Sequence, residues 1–90
     1  MIPPEQRAQL RNAILDKLCR RPAYAVPADI LRNLSARTGE VEGMFEMSDV
    51  LDALAFLEGV GFVKRVRRAL SGLHDWQATS EGVQYWEGLQ

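Results

Sequence analysis

Leu57-Glu58-Gly59-Val60-Gly61-Phe62-Val63 runs directly into Lys64-Arg65-Val66-Arg67-Arg68, and the reading of this stretch decides the architecture. The residues before it predict an amphipathic helix. Ser48 offers a hydroxyl that can accept from an orphan backbone N–H at the helix start, and Asp49 follows where the helix dipole favours negative charge. Val50, Leu54 and Leu57, spaced four and three apart, give that helix one apolar stripe, which Leu51 widens. Gly59 and Gly61 are positions where a positive φ carries no Cβ penalty, so the chain can turn sharply there. The segment after the turn is short, basic and built around a β-branched residue, and it predicts a strand. The joint is therefore helix, tight glycine turn, basic strand.

Working outward, Pro3-Pro4 precedes a helix from about Glu5 to Arg21, stopped by Pro22, with Leu10, Ile14 and Leu18 on its buried stripe. Tyr24-Ala25-Val26 reads as a short extended piece. Pro27 opens a second helix that runs to Arg37, with Ile30, Leu31 and Leu34 inside, and Thr38-Gly39 ends it. The connection from Glu40 to Met47 reads as a loop pinned to the core by Val41, Met44 and Phe45. After the Ser48 helix, the basic strand extends to about Leu70, Ser71-Gly72 makes a turn, and a return strand passes through Trp76-Gln77-Ala78. A last helix begins near Ser80, where Thr79 or Ser80 can cap it, Glu81 suits its first turn, and Val83, Trp86 and Leu89 share a face.

The 90 residues are enough for one domain with a single core, and 47 % hydrophobic with 26 % charged residues is ordinary for a globular fold. No apolar run approaches the roughly 20 residues needed to span a bilayer. The first residues lack the basic and apolar regions of a signal peptide, so the expectation is a cytoplasmic protein without membrane association. Cys19 is the one cysteine and sits beside Ile14, Leu15 and Leu18, which reads as a small core residue in a reducing compartment.

The order helix, short strand, helix, helix, strand, wing, strand, helix resembles the winged helix-turn-helix superfamily over nearly the whole chain. The Val50, Leu54 and Leu57 stripe, the Leu57-Glu58-x-x-Gly61-Phe62-Val63 joint and the Ala78-Thr79-Ser80-Glu81-Gly82 corner carry the resemblance. It implies a mainly α fold with a small β-sheet (α+β): three helices, a two-stranded wing and a C-terminal helix. More narrowly, Tyr24, the Ser48 helix and the Thr79 to Gly82 corner make the chain similar to small winged-helix proteins carried by Mu-like prophages. The resemblance implies that the helix from Ser48 to Glu58 enters the major groove of double-stranded DNA while the wing lies over a neighbouring backbone.

The residues agree with that implication only in part. On the helix face expected to meet bases stand Asp49, Asp52, Ala53 and Phe56, where base readers usually carry Arg, Lys, Asn, Gln or Ser. A carboxylate can accept from cytosine N4, but nearby phosphates repel it. Charge is segregated along the chain: residues 1–37 carry +4, residues 38–60 carry −6, residues 61–72 carry +4 and residues 73–90 carry −3, for a net −1. A local basic ribbon can engage phosphates despite a near-neutral total. The same pattern also fits an acidic helix face that pairs with the first helix or the wing.

The ribbon has two readings of its own. Side chains alternate along a strand, so Arg65 and Arg67 share one face while Lys64 and Arg68 flank Val66 on the other. The four cations either contact phosphate, for which arginine has the better geometry, or protect a solvated sheet edge from aggregation. Phe56 either closes the core or marks a protein contact, and Trp86 with Val83 and Leu89 forms either a homodimer seam through the C-terminal helix or a packing face over the first helix.

An enzyme is not expected. One histidine and one cysteine cannot supply a usual zinc tetrad, the acidic loop lacks calcium-loop spacing, and Ser71, His74 and Asp75 lie too close together on a turn for a triad. No cofactor, metal or catalytic residue is assigned. The sequence leads to a winged-helix DNA-binding protein, a phage or bacterial regulator. Its nucleic-acid contacts would be Lys64, Arg65, Arg67 and Arg68, with Ser48, Asp52 and Phe56 at the face toward bases. The alternative is the same fold used for protein contacts through the acidic and apolar face of its third helix, without nucleic acid.

Overall fold

The computed structural model describes residues 2–67 and 74–89. Helix α1 spans Pro4–Arg20, with proline in its first turn where the missing N–H costs nothing. Leu10, Ile14 and Leu18 are fully buried, and each contributes on the order of 2 kcal/mol by leaving water. Cys19 lies beside them, and burial, with the charges of Asp16 and Glu87, pushes its thiol up to about 11. It is a protonated core residue.

Helix α2 spans Ala28–Arg37. Leu31 is fully buried, Leu34 half-buried, and Ile30, expected inside, faces solvent. The reason is geometric: Leu31 and Ser35, four apart, form the line that meets the core, and Ile30 falls roughly 100° to one side of it. Gly39 adopts φ 69° just past the helix end. In the loop from Glu40 to Glu46 Val41 is buried and Phe45 packs against the core, but Met44 is 93 % exposed. Two of the three expected apolar pins hold, and side-chain amides secure the rest of the loop: Gln6 Nε2 donates to the Met44 carbonyl at 2.9 Å and Gln9 Oε1 accepts from the Glu42 N–H at 3.0 Å.

Helix α3 spans Met47–Gly59, two residues earlier than the Ser48 cap implied. Glu46 occupies the cap position and the Asp49 carboxylate accepts its N–H at 2.8 Å, which is one half of a capping box and moves Ser48 into the first turn. Val50, Leu54 and Leu57 are buried as the spacing requires. At the joint only Gly61 takes a positive φ, 85°, while Gly59 remains helical as the last residue of α3.

Strand β1 spans Val63–Arg67 and pairs antiparallel with β2, His74–Ala78, in the register Val63 to Ala78, Arg65 to Trp76 and Arg67 to His74. Val26 exchanges both backbone hydrogen bonds with Trp76, 2.8 and 2.9 Å, so the short extended piece after α1 lies along the other edge of β2. Val63, Trp76 and Ala78 turn one face of the sheet into the core. Arg68, the expected strand end at Leu70 and the Ser71-Gly72 turn lie outside the described residues.

Helix α4 spans Ser80–Gly88 and is capped by Thr79, whose hydroxyl oxygen accepts from the Gly82 N–H at 3.0 Å and itself donates to the Gly61 carbonyl at 2.6 Å. The Thr79 N–H donates to the Phe62 carbonyl at 3.0 Å. The start of α4 is thereby bonded to the helix-to-strand joint, and Tyr85 stacks on Phe62 with centroids 4.6 Å apart. Among the described residues the architecture is four helices and a two-stranded sheet, and with Val26 on the far edge of β2 it is the winged-helix arrangement.

Candidate nucleic-acid interface

α3 and the β1–β2 hairpin are consecutive in the chain, separated by Val60-Gly61-Phe62, so the surface they share is where the expected interface would lie. Packing of α3 on α1 fixes its rotation. Ala53, expected outward, is only 5 % exposed, on the side of α3 that packs against α1. Leu51, expected to widen the buried stripe, is 46 % exposed instead. The solvent face is therefore Ser48, Leu51, Asp52 and Ala55, at the i, i+3, i+4, i+7 spacing of one helix side. It holds a hydroxyl, a carboxylate and two apolar groups, and no cation.

Asp49 and Asp52 border a cleft of about 180 Å³ between α1 and α3, whose other walls are Arg7, Leu10, Arg11 and Ala53. The acidic edge of α3 thus faces two guanidinium groups of α1, which offset its field without closing to direct ion pairs among the described residues. Phe56 is neither core nor free. It is 46 % exposed and carries the Arg11 guanidinium 3.7 Å from its ring centroid, a cation–π contact that occupies one face of the ring.

Other acids of the negative segment pair within the molecule. Glu40 accepts from Lys17 at 2.8 Å, and Glu58 accepts from Arg65 Nε at 2.9 and 3.2 Å. Arg65 also lies over Trp76, its cross-strand neighbour, with the guanidinium 5.1 Å from the ring centroid. Lys64 and Arg67 are exposed, and among the described residues neither has an ion-pair partner. Arg67 and its cross-strand neighbour His74 continue the sheet face that carries Arg65 and Trp76, one step further along the hairpin. Of the seven expected contact residues, then, the structure brings Ser48 and Asp52 onto one exposed helix side. It places Lys64, Arg65 and Arg67 on the hairpin and turns Phe56 toward α1, while Arg68 lies outside the described residues.

The sequence left open whether the acidic face of α3 pairs with the first helix or the wing, and it did not single out the three residues involved, Glu58, Arg7 and Arg11. Glu58 as the partner of Arg65 lies seven residues away across the joint, a spacing with no local meaning. Arg7 and Arg11 were visible as an i, i+4 pair on α1, but which helix they would face was not.

α4 is also held against α1. Trp86 Nε1 donates to Asp16 at 2.9 Å, and Asp16 also accepts from Arg20 at 2.9 Å and Lys17 at 3.2 Å. Burial raises the Asp16 pKa, but the hydrogen bonds from Arg20, Trp86 and Lys17 outweigh it and hold the carboxyl below its ordinary value. The indole expected either in a dimer seam or over the first helix takes the second place in this chain, while Leu89 stays exposed. Among the described residues, no cluster of His, Cys, Asp or Glu is arranged to hold a metal ion, and no helix is long and apolar enough to cross a membrane.

No protein-family model matches this chain, and comparison with curated proteins yields no match. Among solved structures, a transcriptional regulator from Clostridium thermocellum superposes with a TM-score of 0.74 at 20 % sequence identity, over 99 % of this chain and 84 % of that one. At that identity the likeness is one of fold.

Proposed function

We propose that this chain is a winged-helix DNA-binding protein that holds the duplex mainly through phosphate contacts of its basic wing, in the setting of phage or bacterial gene control. The observation that carries the reading is the state of the wing cations. Lys64 and Arg67 are exposed, without ion-pair partners among the described residues, on a hairpin that comes after α3 and a three-residue joint. Charges left unpaired at a surface remain available to phosphates, and the counterions that a phosphate backbone then releases are the main source of sequence-independent affinity. Arg68 follows Arg67 in the sequence and brings one more positive charge to the basic run. The fold shared with a transcriptional regulator supports the setting of gene control.

In this reading Ser48 and Asp52 meet the duplex with little capacity to read it. Ser48 supplies one hydroxyl, Asp52 accepts only, and Leu51 and Ala55 offer methyl contacts. Discrimination between sequences is accordingly weak, and phosphate contacts position the protein. Titration against random duplex DNA at two salt concentrations tests this. Binding should tighten steeply as salt falls, and Arg67→Ala should weaken binding to all sequences alike and lower the magnitude of the salt slope by about 1.

A second reading is favoured by Leu51. An exposed leucine between Ser48, Asp52 and Ala55, with no cation on that helix side, suits a partner protein better than a phosphate backbone. No DNA binding at low salt, together with loss of a protein complex on Leu51→Asp, would move the function to that surface.

A further inference from the structure

Arg65 differs from the other described wing cations in what it touches. Its Nε donates to both carboxylate oxygens of Glu58, in the last turn of α3, and its guanidinium covers the ring of Trp76 on β2. One side chain on β1 therefore links the end of α3 to both strands, across a joint where the other hydrogen bonds among the described residues are backbone bonds and the Thr79 corner. The side chains of Arg65 and Glu58 are 48 % and 36 % exposed, so solvent screens the pair and its share of global stability is small. Its geometric effect is separate from that energy. Rotation of the hairpin against α3 must break the two hydrogen bonds and slide the guanidinium off the indole.

We infer that Arg65 is a positioning residue, a brace that sets the angle between α3 and the wing, while among the described wing cations the phosphate contacts come from Lys64 and Arg67. The inference rests on the DNA-binding reading and assigns labour within it. A guanidinium already neutralised by Glu58 displaces few counterions from a phosphate. To reach one it would have to leave Glu58, which would then stand as a bare carboxylate beside the backbone. Both effects work against a phosphate contact from Arg65.

Salt dependence separates the two roles, because its slope counts the cations that neutralise phosphates. Wild type, Arg67→Ala and Arg65→Ala are titrated with one random duplex over a range of salt. Arg67→Ala should lower the magnitude of the slope by about 1, whereas Arg65→Ala should weaken binding several-fold with the slope unchanged. A slope lowered by about 1 in Arg65→Ala, or affinity unchanged in that variant, would overturn the brace. The free protein gives a readout independent of DNA. The Arg65 Nε–H should exchange slowly with solvent by NMR and lose that protection in Glu58→Gln, and rapid exchange in wild type would overturn the inference without any reference to nucleic acid. A wild type that fails to bind duplex DNA at low salt while showing the protected Nε–H would refute the DNA reading and Arg65's role within it, but leave the Glu58 contact established.

Discussion

Replacing Gly82 with alanine should destabilise the protein, although Gly→Ala within a helix ordinarily stabilises by up to about 1 kcal/mol. Gly82 lies in the first turn of α4, and a methyl group there would press into the Phe62 carbonyl, 2.9 Å from its carbon and closer still to its oxygen. A carbon and a carbonyl oxygen rest at about 3.3 Å or more, so the first turn of α4 has to move away from the joint. That movement strains the Thr79 N–H bond to Phe62, the Thr79 hydroxyl bond to Gly61 and the cap on Gly82 itself. Neither side of the contact is a flexible side chain, so both responses disturb backbone. Overpacking of this kind costs about 1–3 kcal/mol, and each neutral hydrogen bond that is lost about 1 kcal/mol. With one to two bonds weakened and the propensity gain subtracted, the net loss should be about 1–4 kcal/mol. For a domain of this size each kcal/mol lowers Tm by roughly 4–8 °C. Gly88, at the far end of the same helix, would place its Cβ in open space, so Gly88→Ala should be neutral or stabilising by less than about 1 kcal/mol. Urea unfolding of the two variants beside wild type, read by circular dichroism, gives both numbers. Equal or greater stability of Gly82→Ala would refute the close approach of α4 to the joint.

Three single sites carry further expectations. The Ser35 hydroxyl is fully buried and has no hydrogen-bond partner among the described residues, so Ser35→Ala should raise stability by about 1 kcal/mol, and a loss in urea titration would mean that the hydroxyl is satisfied. Asp16 has a folded pKa below its ordinary value, which stabilises the fold above about pH 4 and fades as pH falls through the lowered pKa. Asp16→Asn should therefore cost about 1–2 kcal/mol at neutral pH, and its gap to wild type should close below about pH 4, whereas a gap independent of pH would remove the linkage. A homodimer through α4 would use Leu89, which is exposed, rather than Trp86, which is bonded to Asp16. Leu89→Ser should then convert a dimeric wild type to a monomer in sedimentation velocity, and a monomeric wild type would dispose of the seam.

The sequence by itself determined the elements whose signals are local. Leu10, Ile14 and Leu18 on α1, and Val50, Leu54 and Leu57 on α3, are buried because apolar spacing at a helical period leaves one side that must leave water. Gly61 turns with positive φ and Thr79 caps α4 because those conformations depend on the residue and its immediate neighbours. The tertiary structure alone decided what lies at the margins of each stripe and between distant segments. Apolar spacing fixes a stripe only to within about one residue, roughly 100° of arc, so the packing of α3 on α1 decides that Ala53 goes in and Leu51 stays out. The α3 cap moved to Glu46 because Asp49 could answer its N–H, a reciprocity that competed with the hydroxyl of Ser48. Arg65 looked equivalent to Lys64 and Arg67 as a cation in a basic run, and only the packing of β1 against the end of α3 and Trp76 gave it partners. Trp86 and Asp16 meet across 70 positions. Charge and apolar pattern along a chain specify which side chains need partners, and the crossing of the helices and the strand register determine which partners they find.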